Sequence, residues 1–289
     1  MLELSMAVNW EFIQEVGAFR WLRRTFSRQF SKRILHRDSA IVLPTGLRMA
    51  LPRTSKFASE VFITHANVDW GSEALFASHL DPAGVVLDIG ANIGYYSLYL
   101  LPRVAAVHSF EPDPRVLAAL RSNLAENSNA YVHTLAVGNH IGKARFALAP
   151  DSEVSHVVSS SMKTGENSHE VDLTTIDRFV SDNRLSVTGI KIDVEGADID
   201  VIEGGLETLA SQTPLVLTET EPGERLFGLI RPLGYSVFAF VKNSALPRFV
   251  LREIHSGDRW QTKMLFLVPN RLQSTFESLV GKHAENISR

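Results

Sequence analysis

The chain has 289 residues, 45% hydrophobic and 21% charged, which is enough apolar mass for one large or two small cores and excludes disordered, collagen-like and coiled-coil classes. Cysteine is absent, so disulfide scaffolds, thiolate zinc sites and cysteine nucleophiles are excluded as well. A net charge of -3 gives no global attraction to nucleic acid, no apolar run approaches the roughly 20 residues of a bilayer span, and the N-terminal basic residues follow the apolar ones, so no secretory signal and a cytoplasmic location are expected.

The first segment, residues 1–37, concentrates positive charge: Arg20, Arg23, Arg24, Arg28, Lys32, Arg33 and Arg37 lie between 20 and 37 with no acid among them. Trp10, Ile13, Val16, Phe19, Trp21, Leu22, Phe26, Phe30 and Ile34 recur at threes and fours, the pattern of a basic amphipathic helix. Two placements follow. The preferred one packs the aromatic face on the domain and leaves the basic face in water; the other lays residues 20–37 on an anionic membrane, which would make the protein peripheral.

Residues 38–69 form a connecting segment that opens with a hairpin, "IVLPTGLRMALP", turning at Pro44 and Gly46. The main domain, 70–268, begins with a helical stretch over 70–80. It then alternates apolar strands (85–89, 105–110, 131–137, 189–193, 215–219 and 236–241) with helices starting near Gly94, Asp113, Thr175, Ala197 and Gly223. A hairpin-like insert near 143–172 interrupts the alternation, "FVLREI" and "KMLFLV" read as a closing antiparallel pair, and 269–289 is a C-terminal helix or tail. The pattern predicts an α/β sheet with helices on both faces.

The stretch "VVLDIGANIGYYSLYL" is a buried strand ending at Asp88, then Gly90, Asn92 and Gly94, then a helix. In a parallel sheet this first turn is where a nucleotide-bearing ligand nears the backbone. A dinucleotide needs G-x-G-x-x-G; here the spacing is G-x-x-x-G behind an aspartate that would repel phosphate. An acid in that place suits a ligand with a cationic, amino-acid-like end. Glu111, at the end of the second strand in "VHSFEPDP", stands where an acid accepts hydrogen bonds from a ribose diol. Asp113 and Pro114 already supply the cap and first-turn proline of the next helix. Together these point to a site for S-adenosylmethionine.

The ordered set "VVLDIGANIGYYS", "FEPDP", "LAVGN", "VDLTTIDRFV", "IKIDVEGADIDVIEGG" and "PLVLTE" resembles the FkbM-type S-adenosylmethionine-dependent methyltransferases over residues 70 to about 241. The resemblance implies the Rossmann-like, seven-stranded methyltransferase sheet with an antiparallel last strand. It also implies transfer to hydroxyls of sugars, glycolipids or polyketides, and it adds Ala136 and Val137 of "LAVGN" to the cofactor-binding residues. Ser159, Ser160 and Ser161 with Met162 match a serine-containing family segment near the mouth of the site. Trp70 and Glu73 are read as closing over the methionine end of the cofactor.

A second constellation follows in "GIKIDVEGADIDVIEGG", where period two sets Lys191, Asp193 and Glu195 on one side of the strand and its exit. Glu219 and Glu221 stand at the same level one strand further on. An alcohol attacks a methyl group only while losing its proton, so either Asp193 or Glu219 is a general base steadied by Lys191, or Asp193 and Glu219 hold Mg²⁺ that acidifies the alcohol. Asp198, Asp200 and Glu203 read as first-turn or surface acids, and His133, His140 and His156 as packing or surface residues. The alternatives are a nucleic-acid or protein methyltransferase, or a non-catalytic module that binds S-adenosylmethionine. "DVEG" lacks the Asn- or Asp-Pro-Pro-aromatic turn of base amino methylation, and cytosine carbon methylation requires the absent cysteine; no nucleic-acid partner is expected.

Overall fold

Period-two burial on both faces governs the central strands. In "LVLT", Leu215 and Leu217 enter one apolar cluster and Val216 the other; Phe266 and its neighbours Leu265 and Leu267 divide the same way. The computed structural model describes residues 13, 15–147, 156–158, 168–242 and 249–284. Its strands in chain order are β1 Ser39–Val42, β2 Arg48–Leu51, β3 Val85–Ile89, β4 Ala106–Phe110, β5 Ala130–His133, β6 Ala136–Val137, β7 Gly142–Ala147, β8 His156–Val158, β9 Ser168–Thr174, β10 Val187–Ile192, β11 Leu215–Thr218, β12 Tyr235–Lys242, β13 Phe249–Glu253 and β14 Leu265–Pro269. The helices are α1 Ala18–Arg33, α2 Phe57–Thr64, α3 Ser72–Ser78, α4 Tyr95–Leu100, α5 Pro114–Leu124, α6 Ile176–Asn183, α7 Asp198–Glu203, α8 Leu206–Gln212, α9 Glu224–Ile230 and α10 Asn270–Glu277.

The main sheet has eight strands in the order β13-β12-β14-β11-β10-β3-β4-β5, where seven were expected. Strands β5, β4, β3, β10 and β11 run parallel, and β14 is antiparallel to both of its neighbours, β11 and β12. The eighth strand is β13, paired antiparallel with β12. The expected pairing of "FVLREI" with "KMLFLV" therefore does not form: both segments lie against β12, one on each side. An apolar alternation specifies a strand and a buried face, but not the neighbour.

The stretch 131–137 is likewise two strands. β5 ends at His133, and β6 pairs with β9 in a separate four-stranded sheet, β6-β9-β7-β8, in which β7 is antiparallel to both β8 and β9. The hairpin β1–β2 forms its own two-stranded sheet, and its Met49 and Leu51 share a core with α2, α3 and Phe276 of α10 on one face of the main sheet. Helices α6, α8 and α9 cover the other face through Ile176, Leu209 and Phe227. The outer edge of β13 is met by the chain after α10: Gly281 N donates to Leu251 O, Leu251 N donates to Lys282 O, and Val250 bridges His283.

The N-terminal helix corrects the preferred sequence reading. Trp21, Thr25 and Arg28 are the buried residues of α1, whereas Phe19, Leu22, Phe26 and Phe30 are exposed. The aromatic face is thus turned outward. Hydrogen bonding explains why: Arg28 donates to Leu51 O, Pro52 O and Ser59 Oγ, and Arg24 donates to Ile63 O, so basic side chains dock the helix on the hairpin and α2. Residues 1–12 and the serines 159–161 with Met162 lie outside the described residues.

Candidate active site

The β3 exit is built for close approach of backbones. Gly90 N and Ala91 N both donate to Phe110 O at 3.0 Å, tying the glycine loop to the end of β4. Gly90 has φ +80°, and a Cβ there would lie 1.8 Å from Asp193 O, so only glycine fits where the ends of β3 and β10 meet. Gly94 caps α4 at φ +89°, facing Leu120 rather than the cavity.

A cavity of about 310 Å³ opens above this loop, lined among others by Asp69, Gly90, Asn92, Tyr96, Glu111, Ala136, Val137, Lys191, Asp193 and Glu219. Of the residues expected at the cofactor, Gly90, Asn92, Glu111, Ala136 and Val137 are brought together here. Glu111 is buried, accepting from Asn92 N and Asp113 N at 2.8 Å each, and burial raises its carboxyl to about 7 against the pull of those amides. Asp113 caps α5 through Arg115 N, leaving Glu111 free of that duty, as its spacing implied.

Asp88 and Glu73 stand back from the cavity. Asp88 is fully buried beneath the loop, accepts from Ser97 Oγ at 2.5 Å and lies 3.7 Å from Lys191 Nζ. Burial raises its carboxyl while Lys191 opposes the shift. Glu73 accepts from Asp69 N and Tyr95 Oη, and burial together with Asp69 brings it to about 7. Its neighbour Trp70 stacks on Phe249 at 4.4 Å and donates from Nε1 to Glu15, which holds its ring away from the cavity lining.

At the second pair of strand ends, buried Lys191 donates to Gly90 O at 3.0 Å and lies 3.2 Å from Asp193 Oδ2. Burial alone would lower its pKa, but Asp193 and Asp88 hold it above the ordinary lysine value. The ion pairs of Lys191 thus run to Asp193 and Asp88. Glu219 faces Asp193, and burial plus the charge and hydrogen bond of Asp193 raise it to about 9. The raised value favours the protonated form of Glu219 near neutral pH. Among the described residues no group of three or more His, Asp or Glu is arranged to hold a metal ion. Asp198 accepts from Thr218 Oγ1, Asp200 and Glu203 pair with Arg225, and His133 lies 3.0 Å from His108, stacked on Phe110 and edge-on to Phe179. These are structural contacts.

Sequence reasoning missed Asp69, Tyr96 and Lys263. Tyr96 Oη donates to Asp69 Oδ2 at 2.6 Å, and Lys263 Nζ donates to Val68 O while sitting 5.6 Å from the Trp70 ring centroid. A signal existed for the first, since Asp69 directly precedes the Trp70-Gly71 turn, where both residues have positive φ. Lys263 and Glu219 also line a more open cleft that continues past Glu221, Glu224, Ser256 and Trp260.

The family described as methyltransferase FkbM domain matches residues 88–237. The 2-O-methyltransferase NoeI of Sinorhizobium fredii is 31% identical over 156 residues, 48% of this chain and 63% of that protein, so the chain spans under two thirds of that relative. The 31-O-demethyl-FK506 methyltransferase FkbM of Streptomyces tacrolimicus is 27% identical over 213 residues, covering 61% of this chain and 80% of that one. A shorter match, 39% over 61 residues and 21% of each chain, is to ribosomal RNA small subunit methyltransferase A of Thermobifida fusca. The match across more than half of the chain, lying over the glycine loop, Glu111 and the paired acids at the ends of β10 and β11, places the protein in the FkbM methyltransferase domain family.

Proposed function

We propose that the protein is an S-adenosylmethionine-dependent O-methyltransferase acting on a hydroxyl of a small molecule or glycan. The observation that carries this reading is a cavity floored by Gly90, walled by acids and continuous with an open cleft through Glu219 and Lys263. The polar groups fit the cofactor: Asn92 Oδ1 is a buried acceptor with no hydrogen-bond partner among the described residues, Glu111 is a buried acid raised to about 7, and a ligand rich in N–H, O–H and positive charge answers both. The two longer-matching relatives are named for methyl transfer at oxygen.

Bound there, the cofactor supplies a methyl group on a sulfonium centre. The chain supplies the rest. Glu111 would hold the ribose diol, Ile89, Phe110 and Val137 would offer apolar surface to the base, and Asp69, held by Tyr96, would attract the cationic end. The acceptor approaches along the cleft past Trp260. Burial and the neighbouring Asp193 keep Glu219 protonated near neutral pH, and Lys191 fixes the Asp193 carboxylate where it takes the hydroxyl proton.

Titration calorimetry and labelled-methyl assays test this. Binding of S-adenosylhomocysteine but not NAD is expected, and Asp193→Asn should keep that affinity while lowering turnover roughly 100-fold. Full activity in EDTA supports the direct base, whereas activity lost in EDTA and restored by Mg²⁺ assigns Asp193 and Glu219 to a metal. Methyl transfer to ribosomal RNA fragments, with none to hydroxylated glycans, lipids or polyketides, would overturn the acceptor class.

A further inference from the structure

Helix α1 is built with its polar side inward. Trp21, Thr25 and Arg28 are 8%, 7% and 1% exposed, and Arg24, Arg28 and Lys32 spend their donors on Ile63 O, Leu51 O, Pro52 O and Ser59 Oγ. The opposite side carries Phe19, Leu22, Phe26 and Phe30, exposed by 79%, 52%, 64% and 44%. At 100° per residue these four occupy an arc of about 80°. Phe26 and Phe30 stack on one another at 6.3 Å, and the apolar ridge continues past the helix through exposed Ile34 and Leu35. Exposed Arg23 and Arg20 border the arc on one side, exposed Arg33 stands at its C-terminal end and exposed Arg37 just beyond the helix, and no acid lies between 20 and 37.

We infer that this ridge docks the protein on an anionic phospholipid surface. An aromatic stripe bordered by arginines matches the depth profile of such a leaflet, with rings entering the acyl boundary and guanidinium groups meeting the phosphates. The same charges disfavour a second copy as the occupant. A two-fold contact through the ridge would bring the arginines of both copies together with no acid on the patch to answer them. The docked helix is also coupled to the site. Glu15, just before α1, accepts from Trp70 Nε1 at 2.8 Å, and α2, to which Arg24 is bonded, contributes Phe57 and Glu60 to the cavity wall.

Co-sedimentation of the full chain with phosphatidylcholine vesicles, with and without phosphatidylglycerol at physiological salt, tests the inference, and its readout does not depend on catalysis. Binding is expected only to the anionic vesicles. It should fall by roughly 10-fold or more in Phe26→Ser/Phe30→Ser and likewise in Arg20→Glu/Arg23→Glu, with S-adenosylhomocysteine affinity unchanged in both as a check of folding. Absence of wild-type binding, equal binding by both variants, or a dimer in sedimentation velocity that dissolves on Phe26→Ser/Phe30→Ser without any vesicle binding would each overturn it.

Discussion

Two regions invert the usual distribution of polar and apolar groups, in opposite directions. At the carboxyl ends of β3, β4, β10 and β11, Asp88, Glu111 and Lys191 are buried; on α1, Phe19 and Phe26 are in water. The buried set answers itself in part, since Lys191 serves Asp88 and Asp193 and backbone amides serve Glu111. The exposed rings have no such answer within the described residues of the chain. A buried charge and a broad exposed apolar stripe are the departures that need explaining, the first at the candidate cofactor site and the second on the helix face proposed to dock on lipid.

The comparison is broken most severely by Lys191→Met. That change leaves Asp88 buried without its cation and Asp193 without its anchor, and should cost about 3–5 kcal/mol in chemical denaturation. Next is pH. Burial raises Glu73 and Glu111 to about 7, above their ordinary range. The folded state therefore binds more protons than the unfolded state between about 4.5 and 7, so stability is fully present below that window and is lost as pH rises through it. Glu111→Gln should flatten the fall by roughly 3 kcal/mol at neutral pH, at 1.36 kcal/mol per unit, as read by melting temperature across pH. The smallest effect belongs to α1: Phe26→Ser should change stability by no more than about 0.5 kcal/mol, because the ring it removes packs on no core. A large loss there would mean that the ridge is part of the fold.

What the sequence disclosed follows the same division. The strand "VVLDI", the glycine loop and Glu111 were legible because a doubly buried strand leaves an unbroken apolar run and a close backbone approach demands glycine. The face that α1 turns inward was not, because periodicity reports that one side is apolar without saying which side finds a partner. Arg28, donating to Leu51 O and Pro52 O, decides the matter through backbone carbonyls that have no trace in the residue pattern. For the same reason β13 was assigned the wrong neighbour, and the retreat of Asp88 under Ser97 could not be distinguished from a place in the cavity. Asp69 and Lys263 join the site from connecting segments far apart in the chain, where no period constrains position.

The turn after α10 bears on the lipid docking proposed for α1. The outermost strand of a sheet is a row of unsatisfied donors and acceptors, and copies gathered on a shared plane would meet such rows far more often than copies in free solution. In this chain the rim at β13 is already hemmed, because Gly281, Lys282 and His283 fold back to take up Leu251 and Val250. The hem leaves neighbouring molecules little ladder to extend along β13, which closes one of the sheet's two rims to such pairing.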